Sequence, residues 1–282
     1  MKELVFEKYH GLGNDYLVYD CRKNNFVLTE ELIKRICDRN FGLGSDGILV
    51  GPIYKDNTIG VRIFNPDGSI AEKSGNGVRI FSKFLKDKGY IKEQSFNLKT
   101  LGGMVSVKYL NDNGTLMKVS MGKLSFSSTD IGAVGLGEEV IDKEIVFGSK
   151  SYRCTCVSIG NPHCVILRDK VSKDTVCEIG KYSEGAKYFL NKINTQIVEV
   201  IDRNNIKIEI FERGAGYTLA SGSSSCAAAG AMYKLGLVDS NITVHMQGGN
   251  LKINIDSDMN VFMTGGVSRV GTMILSKEFP LF

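Results

Sequence analysis

Residues 61 to 85 read VRIFNPDGSIAEKSGNGVRIFSKFL, and residues 208 to 232 read IEIFERGAGYTLASGSSSCAAAGAM. Each runs from an alternating apolar stretch, through a turn carrying glycine, to Ser-Gly and then into helical spacing. The two lie in register at a single offset, the 147 residues from Ser74 to Ser221. At that offset Ile63-Phe64 falls on Ile210-Phe211, Gly89-Tyr90-Ile91 on Gly236-Leu237-Val238, and Gly13-Asn14 on Gly160-Asn161. Chance matches so far apart would need different gaps. The pattern therefore predicts a duplicated domain with two like Ser-Gly turns, one in each half.

The remaining elements fit around that pair. Residues 3 to 9 alternate as a first strand, and the glycines of His10–Tyr16 free the backbone for a tight turn into a second strand at Leu17–Asp20. A helix begins at Thr29, with Glu30 and Glu31 in a first turn where the helix dipole favours acids. The run Phe41–Gly47 has the glycine spacing of a phosphate loop, but it enters the buried strand Ile48–Val50 with no following Lys-Ser/Thr, which argues against a nucleotide site. After Ser74, apolar Val78, Ile80, Phe81, Phe84 and Leu85 predict a buried helix that stops at Gly89, and Cys226–Leu235 predicts its small-faced counterpart. Related phrases follow each helix: Leu101-Gly102-Gly103 and Val119–Gly122 in one half, Gly248-Gly249 and Phe262–Gly265 in the other. We place the halves at residues 1–123 and 124–272, with a strand in 273–282 returning to the first.

Composition bounds the function. The chain has 282 residues, 43% of them hydrophobic and 23% charged, and a net charge of +4 spread without clustering. That is a globular protein with room for two cores and no footprint for nucleic acid. No apolar run reaches the roughly 20 residues that span a bilayer, and the charged start MKELVFEKYHGLGND lacks the apolar core of a signal peptide, so a cytoplasmic protein without a membrane partner is expected. The odd count of seven cysteines fits free thiols. Cys154 and Cys156 share a strand face without a CxxC or clustered histidines, so we expect structural thiols and no metal site.

A helix that starts just after a glycine presents free N–H groups and the positive end of its dipole, a seat for a carboxylate. One such turn, capped by serine, is an ordinary helix start. Two in a duplicated frame, each with a polar cluster beside it, point to a ligand. Asn14, Asn65, Asn161, Asn194, Glu212 and Arg213 together suit a small zwitterion, with Arg213 for a carboxylate, Glu212 for an ammonium and the amides for both. His163 lies two residues after Asn161, whereas His245 sits in a strand without such company and reads as structural.

HGLGND, FGLGSDG, RIFNPDGSIAEKSGNG, GNPH and ERGAGYTLASG, in this order from the first strand to the last, resemble diaminopimelate epimerase. The resemblance implies an α+β fold of two pseudo-symmetric domains, each a mixed or antiparallel sheet wrapped around a central helix, with the active-site cleft between them and usually a homodimer. It implies inversion of an amino-acid α-carbon, LL- to meso-diaminopimelate, without pyridoxal phosphate or another cofactor: one residue removes the α-proton and its twin protonates the other face. It makes Asn14, Asn65, Asn161, Asn194, Glu212 and Arg213 substrate contacts, Gly75, Asn76, Gly222 and Ser223 donors to the α-carboxylate, and His163 and Glu212 assistants to the acid/base pair. It puts Gly47 among the substrate-binding positions too, but at a place where many members carry Gln, so that one distal contact is missing. At the two acid/base positions the family has cysteine, and this chain has Ser74 and Ser221. A thiol near pH 8.5 is lowered into working range by a helix start, whereas a hydroxyl begins several units higher at about 1.4 kcal/mol per unit. Other readings therefore stand beside an epimerase: an amino-acid-binding paralogue with impaired turnover, an engineered double Cys-to-Ser form of an active enzyme, and, within the class, a racemase of another amino acid or a dehydratase using one side only.

Overall fold

The computed structural model describes residues 4–279. These divide into two compact units, one running to Val119 and resuming at Gly265, the other Ser120–Thr264. The first contains β1 (Val5–Gly11), β2 (Asn14–Asp20), α1 (Glu30–Cys37), β3 (Ile48–Lys55), β4 (Thr58–Phe64), β5 (Ile70–Ala71), α2 (Gly75–Asp87), β6 (Ser95–Thr100), β7 (Gly103–Tyr109) and the start of β8 (Leu116–Lys123). The second contains α3 (Ser128–Ile131), β9 (Lys143–Phe147), β10 (Lys150–Ser158), β11 (Pro162–Leu167), α4 (Lys173–Ser183), β12 (Asn194–Asp202), β13 (Asn205–Glu212), β14 (Gly216–Thr218), α5 (Gly222–Lys234), β15 (Asn241–Met246), β16 (Gly249–Ile255) and most of β17 (Asn260–Gly266). β18 (Ser268–Ile274) pairs antiparallel with β1, so the returning strand begins ahead of the Met273 start read from the sequence.

The duplication holds strand by strand. In the first unit β1–β2 is antiparallel, β2–β3 parallel, β3–β4 antiparallel and β4–β6 parallel, and β6–β7–β8 is a meander. In the second, β10–β11, β11–β12, β12–β13, β13–β15 and β15–β16–β17 repeat those senses in order. β9 pairs with β10 as β18 pairs with β1. This is an α+β fold of two like units. Each parallel step needs a crossover, and α1, α2, α4 and α5 supply them.

The central helices differ in how they fill their sheets. α2 is buried from Gly75 to Leu85, with Phe81 and Phe84 packed ring to ring. Buried Ser82 is bonded on both its groups: its Oγ donates to the Val78 carbonyl at 2.7 Å, and Tyr109 Oη donates to the Ser82 carbonyl at 2.6 Å. α5 achieves the same burial with Ala227, Ala228, Ala229 and Ala231, which lets the sheet approach closely: a Cβ on Gly230 would lie 2.5 Å from Leu124 Cδ1. α1 and α4 seal the other faces, over cores that include Phe6, Leu17, Ile33 and Ile36 in one unit and Ile145, Val176, Ile179 and Ile197 in the other. All seven cysteines are free, and Cys154, Cys156 and Cys164 belong to the second core. No helix among the described residues is long and apolar enough to cross a membrane.

Candidate active site

Ser74 caps α2 from extended backbone (φ −138°, ψ 121°), its Oγ accepting from the Gly77 amide at 3.0 Å. Ser221 caps α5 from nearly the same conformation (φ −142°, ψ 130°), its Oγ accepting from the Ser224 amide at 3.3 Å. Neither helix has an acid in its first turn to offset the positive end of its dipole. Each serine oxygen thus sits among backbone N–H groups that favour negative charge on it.

In the first unit a polar chain runs away from this helix start. Arg79, fully buried, donates through Nη2 to Asn76 Oδ1 at 2.8 Å and through Nη1 to the Gly75 carbonyl at 3.2 Å. Asn76 Nδ2 donates to Asn14 Oδ1 at 2.9 Å, and Asn14 Nδ2 to Asp46 Oδ2 at 2.8 Å. A guanidinium only donates and a carboxylate only accepts, so the charges at the two ends fix the direction of both amides between them. Arg39 joins Asp46 and Asp15 at 2.7 Å each, and Lys8 reaches Asp15 at 2.9 Å. Burial raises the Asp15 carboxyl, but hydrogen bonds from Arg39 and Lys8 outweigh it and hold the group below the usual carboxylate range.

Asn65 stands apart from that chain. Its amide closes its own turn, with Nδ2 donating to Ser69 Oγ at 3.0 Å.

Gly47 occupies backbone that favours glycine (φ +154°). A Cβ there would lie 2.3 Å from the Phe64 carbonyl oxygen and 2.7 Å from Tyr16 Cε1. The residue serves as room for the Tyr16 ring, and a longer side chain has no place on this backbone. From that seat Tyr16 Oη lies 3.4 Å from Ser74 Oγ.

In the second unit, the parallel pairing of β11 with β12 sets His163 opposite Asn194. His163 Nδ1 lies 3.2 Å from Gln196 Oε1 and Nε2 lies 3.1 Å from Asn161 Oδ1. Gln196 Nε2 donates to the buried Ser224 Oγ at 3.1 Å. Burial pushes the imidazole down to about 3, opposed by the Gln196 hydrogen bond and assisted by the charge of Arg213. A neutral ring carries one N–H, so one of the two amides turns its nitrogen to the ring. Both ring nitrogens of His163 meet amides, while the Ser221 hydroxyl meets the Ser224 amide and, at 3.5 Å, Ser223 Oγ.

Asn194 Nδ2 donates to the Pro162 carbonyl at 2.8 Å, and its Oδ1 accepts from the Arg213 amide at 3.1 Å. The exposed Arg213 side chain rests on the Asn191 carbonyl at 2.9 Å. Glu184 holds the next residue, accepting from the Gly214 amide at 2.8 Å, and that bond keeps its carboxyl below the usual range. Glu212 ends β13 just before this loop. His245, by contrast, spans Asn250 and Asn205 at 3.1 and 3.0 Å.

Hydrogen bonds link Asn14 to Asn76 in the first turn of α2, and link Asn161 and His163, through Gln196, to Ser224 in the first turn of α5, whereas Asn194 and Arg213 are bonded to each other and to the Pro162 and Asn191 carbonyls. Tyr16, Asp46, Arg79, Gln196, Ser224 and Glu184 were not singled out from sequence. Two of them carried a signal. Tyr16 precedes His163 by the repeat offset, and Gln196 follows Asn194 at strand period two, on the same face.

Comparison with known proteins places this architecture. The fold matches a hydroxyproline epimerase from Agrobacterium vitis (TM-score 0.70, 12% identity, covering 98% of this chain and 91% of that one). It also matches a phenazine biosynthesis protein of the PhzF family from Bacillus anthracis (TM-score 0.68, 18% identity, 98% and 100%). The protein is thus of the duplicated α+β class to which those structures belong. The family model for diaminopimelate epimerase matches residues 6–127 and 155–270. Diaminopimelate epimerase 2 of a Nostoc species is 50% identical over 98% of this chain and 96% of its own length. The diaminopimelate epimerase of a Synechocystis species is 37% identical over 95% and 97%. The chain belongs to the diaminopimelate epimerase family.

Proposed function

We propose that this protein inverts the α-carbon of diaminopimelate, interconverting the LL and meso forms, with Ser74 and Ser221 as the two proton-handling groups. The observation that carries the reading is the repeated helix start: two serines in matching backbone conformation, each with its oxygen among the first amides of a buried helix. Those amides stabilise an alkoxide more than a hydroxyl, the direction of change a serine base needs. The backbone amides of Gly75 and Asn76, and of Gly222 and Ser223, take the α-carboxylate. Asn14, Asn65, Asn161, Asn194, Glu212 and Arg213 hold the remaining polar groups, and neutral His163 orients Asn161. No cofactor enters the chemistry. A proton leaves the α-carbon, a carbanion is held beside the helix-bound carboxylate, and a proton returns on the other face. We place the protein in the cytoplasm as a homodimer; size-exclusion chromatography with light scattering tests the latter.

The chemistry of serine favours one other reading, an amino-acid-binding paralogue that has lost turnover. Deuterium incorporation at the α-carbon of LL- and meso-diaminopimelate in D2O, run beside calorimetric titration, separates the two. Exchange from both epimers supports the epimerase, and tight binding without exchange supports the binding module.

A further inference from the structure

We propose that Tyr16 is the proton partner of Ser74, giving the first unit a Tyr-Ser relay that the second unit lacks; the inference rests on the epimerase reading above. Three observations carry it. Tyr16 Oη lies 3.4 Å from Ser74 Oγ, and either oxygen can donate to the other. The ring holding that hydroxyl is buried and seated against Gly47, where any Cβ would approach its Cε1 to 2.7 Å, so its place depends on a glycine. At the repeat offset Tyr16 corresponds to His163, yet the two counterparts are used differently. His163 is engaged by Gln196 and Asn161, whereas Tyr16 addresses the N-cap serine.

The geometry suits a relay because Ser74 Oγ has two lone pairs and one proton. One lone pair takes the Gly77 amide, and the other is open to the phenol. When the first unit delivers a proton, the Ser74 hydroxyl proton goes to the α-carbanion and forms the C–H bond. The phenolic proton moves to Ser74 Oγ, leaving a phenolate. When it removes one, the phenolate takes the Ser74 proton as Oγ takes the α-proton, and the C–H bonding electrons stay on the α-carbon. One proton moves in each transfer and no redox partner is needed. Tyr16 thus acts through Ser74, as the group that takes up or gives back its proton.

The test is Tyr16→Phe, which keeps the ring against Gly47 and removes only the hydroxyl. In D2O the native protein is expected to exchange the α-proton of both epimers. The variant is expected to lose exchange from one epimer by about a hundredfold, to keep exchange from the other near the native rate, and to lose inversion in both directions. Ser74→Ala is expected to show the same one-epimer defect, and the double variant to be no worse than Ser74→Ala alone, because the two groups act as one unit. A Tyr16→Phe protein that exchanges both epimers at native rates, or loses both equally while melting as the native protein does, overturns the relay and leaves the epimerase reading standing. Native protein that exchanges neither epimer overturns both.

Discussion

Asn76 donates to Asn14 across 62 residues of sequence, at 2.9 Å, and so ties the first turn of α2 to the start of β2. The bond sits between a buried guanidinium and the Asp46 carboxylate, which leaves neither amide free to turn over. Asn76→Ala should free the Asn14 amide and strip Arg79 Nη2 of an acceptor in a buried place. We expect a loss of about 2 kcal/mol in urea unfolding and a rise of about tenfold in KM for diaminopimelate, equivalent to about 1.4 kcal/mol, with a smaller change in kcat. A stability loss with KM unchanged would make the chain a purely structural device.

His163 makes the fold acid-sensitive. Its folded value is pushed down to about 3 by burial, below the roughly 6.5 of an unfolded chain. The unfolded state therefore binds the extra proton across that window. The stabilisation is complete above about pH 6.5 and is lost as pH falls toward 3, at about 1.4 kcal/mol per pH unit. Denaturant melts of the native protein and His163→Gln at pH 7 and pH 5 should show the native protein losing more stability on acidification. Parallel losses would place the acid sensitivity elsewhere.

Ser74 and Ser221 occupy helix starts that lower the pKa of any group placed there. A thiol at these positions begins near pH 8.5, several units below a hydroxyl. Ser74→Cys with Ser221→Cys should raise kcat by about tenfold or more and make activity sensitive to peroxide, with recovery by dithiothreitol. The native activity should be indifferent to peroxide, because both groups proposed to handle the proton are hydroxyls. A double variant slower than native protein would mean that the two helix starts are built for the smaller oxygen.

Helix propensity and packing disagree at Gly180, and packing should win. Alanine in the middle of α4 would gain about 1 kcal/mol by propensity. Its Cβ, however, would lie 2.2 Å from Phe211 Cγ and 2.7 Å from Phe211 Cβ, atoms near the fixed end of a ring. Gly180→Ala is expected to destabilise by about 2 kcal/mol in a chemical melt, and a stabilised variant would show that the ring can withdraw.

Sequence alone revealed the duplication and the two capped helices, because these depend on local signals: Ser before Gly, helical spacing, and one shared offset. What it missed depends on contacts between distant segments. Arg79 reads as one more charge on a helix, and only the fold shows it fully buried beneath Asn76. His163 reads as a partner for an acid/base residue, yet the pairing of β10, β11 and β12 directs its ring to Asn161 and Gln196. The start of the returning strand is hidden because Ser268–Ile274 alternates weakly and includes exposed Val270 and Ile274, so its first residues leave little trace in composition.

Gly47 gives the sharpest contrast between the two kinds of reading. Read through the family resemblance, which implies glutamine at this position in many members, it looks like a missing distal contact. On this backbone a Cβ would stand 2.3 Å from the Phe64 carbonyl and 2.7 Å from the Tyr16 ring, in a conformation with φ +154°. Strain and overpacking together should cost Gly47→Gln about 3 kcal/mol or more. Displacing the Tyr16 ring should also lower activity, through the Ser74 contact. Unfolding melts and steady-state kinetics on the purified variant decide the matter: a stable protein with lower KM would restore the ligand-contact reading, because the pocket would then have to open by moving β4 away from β3.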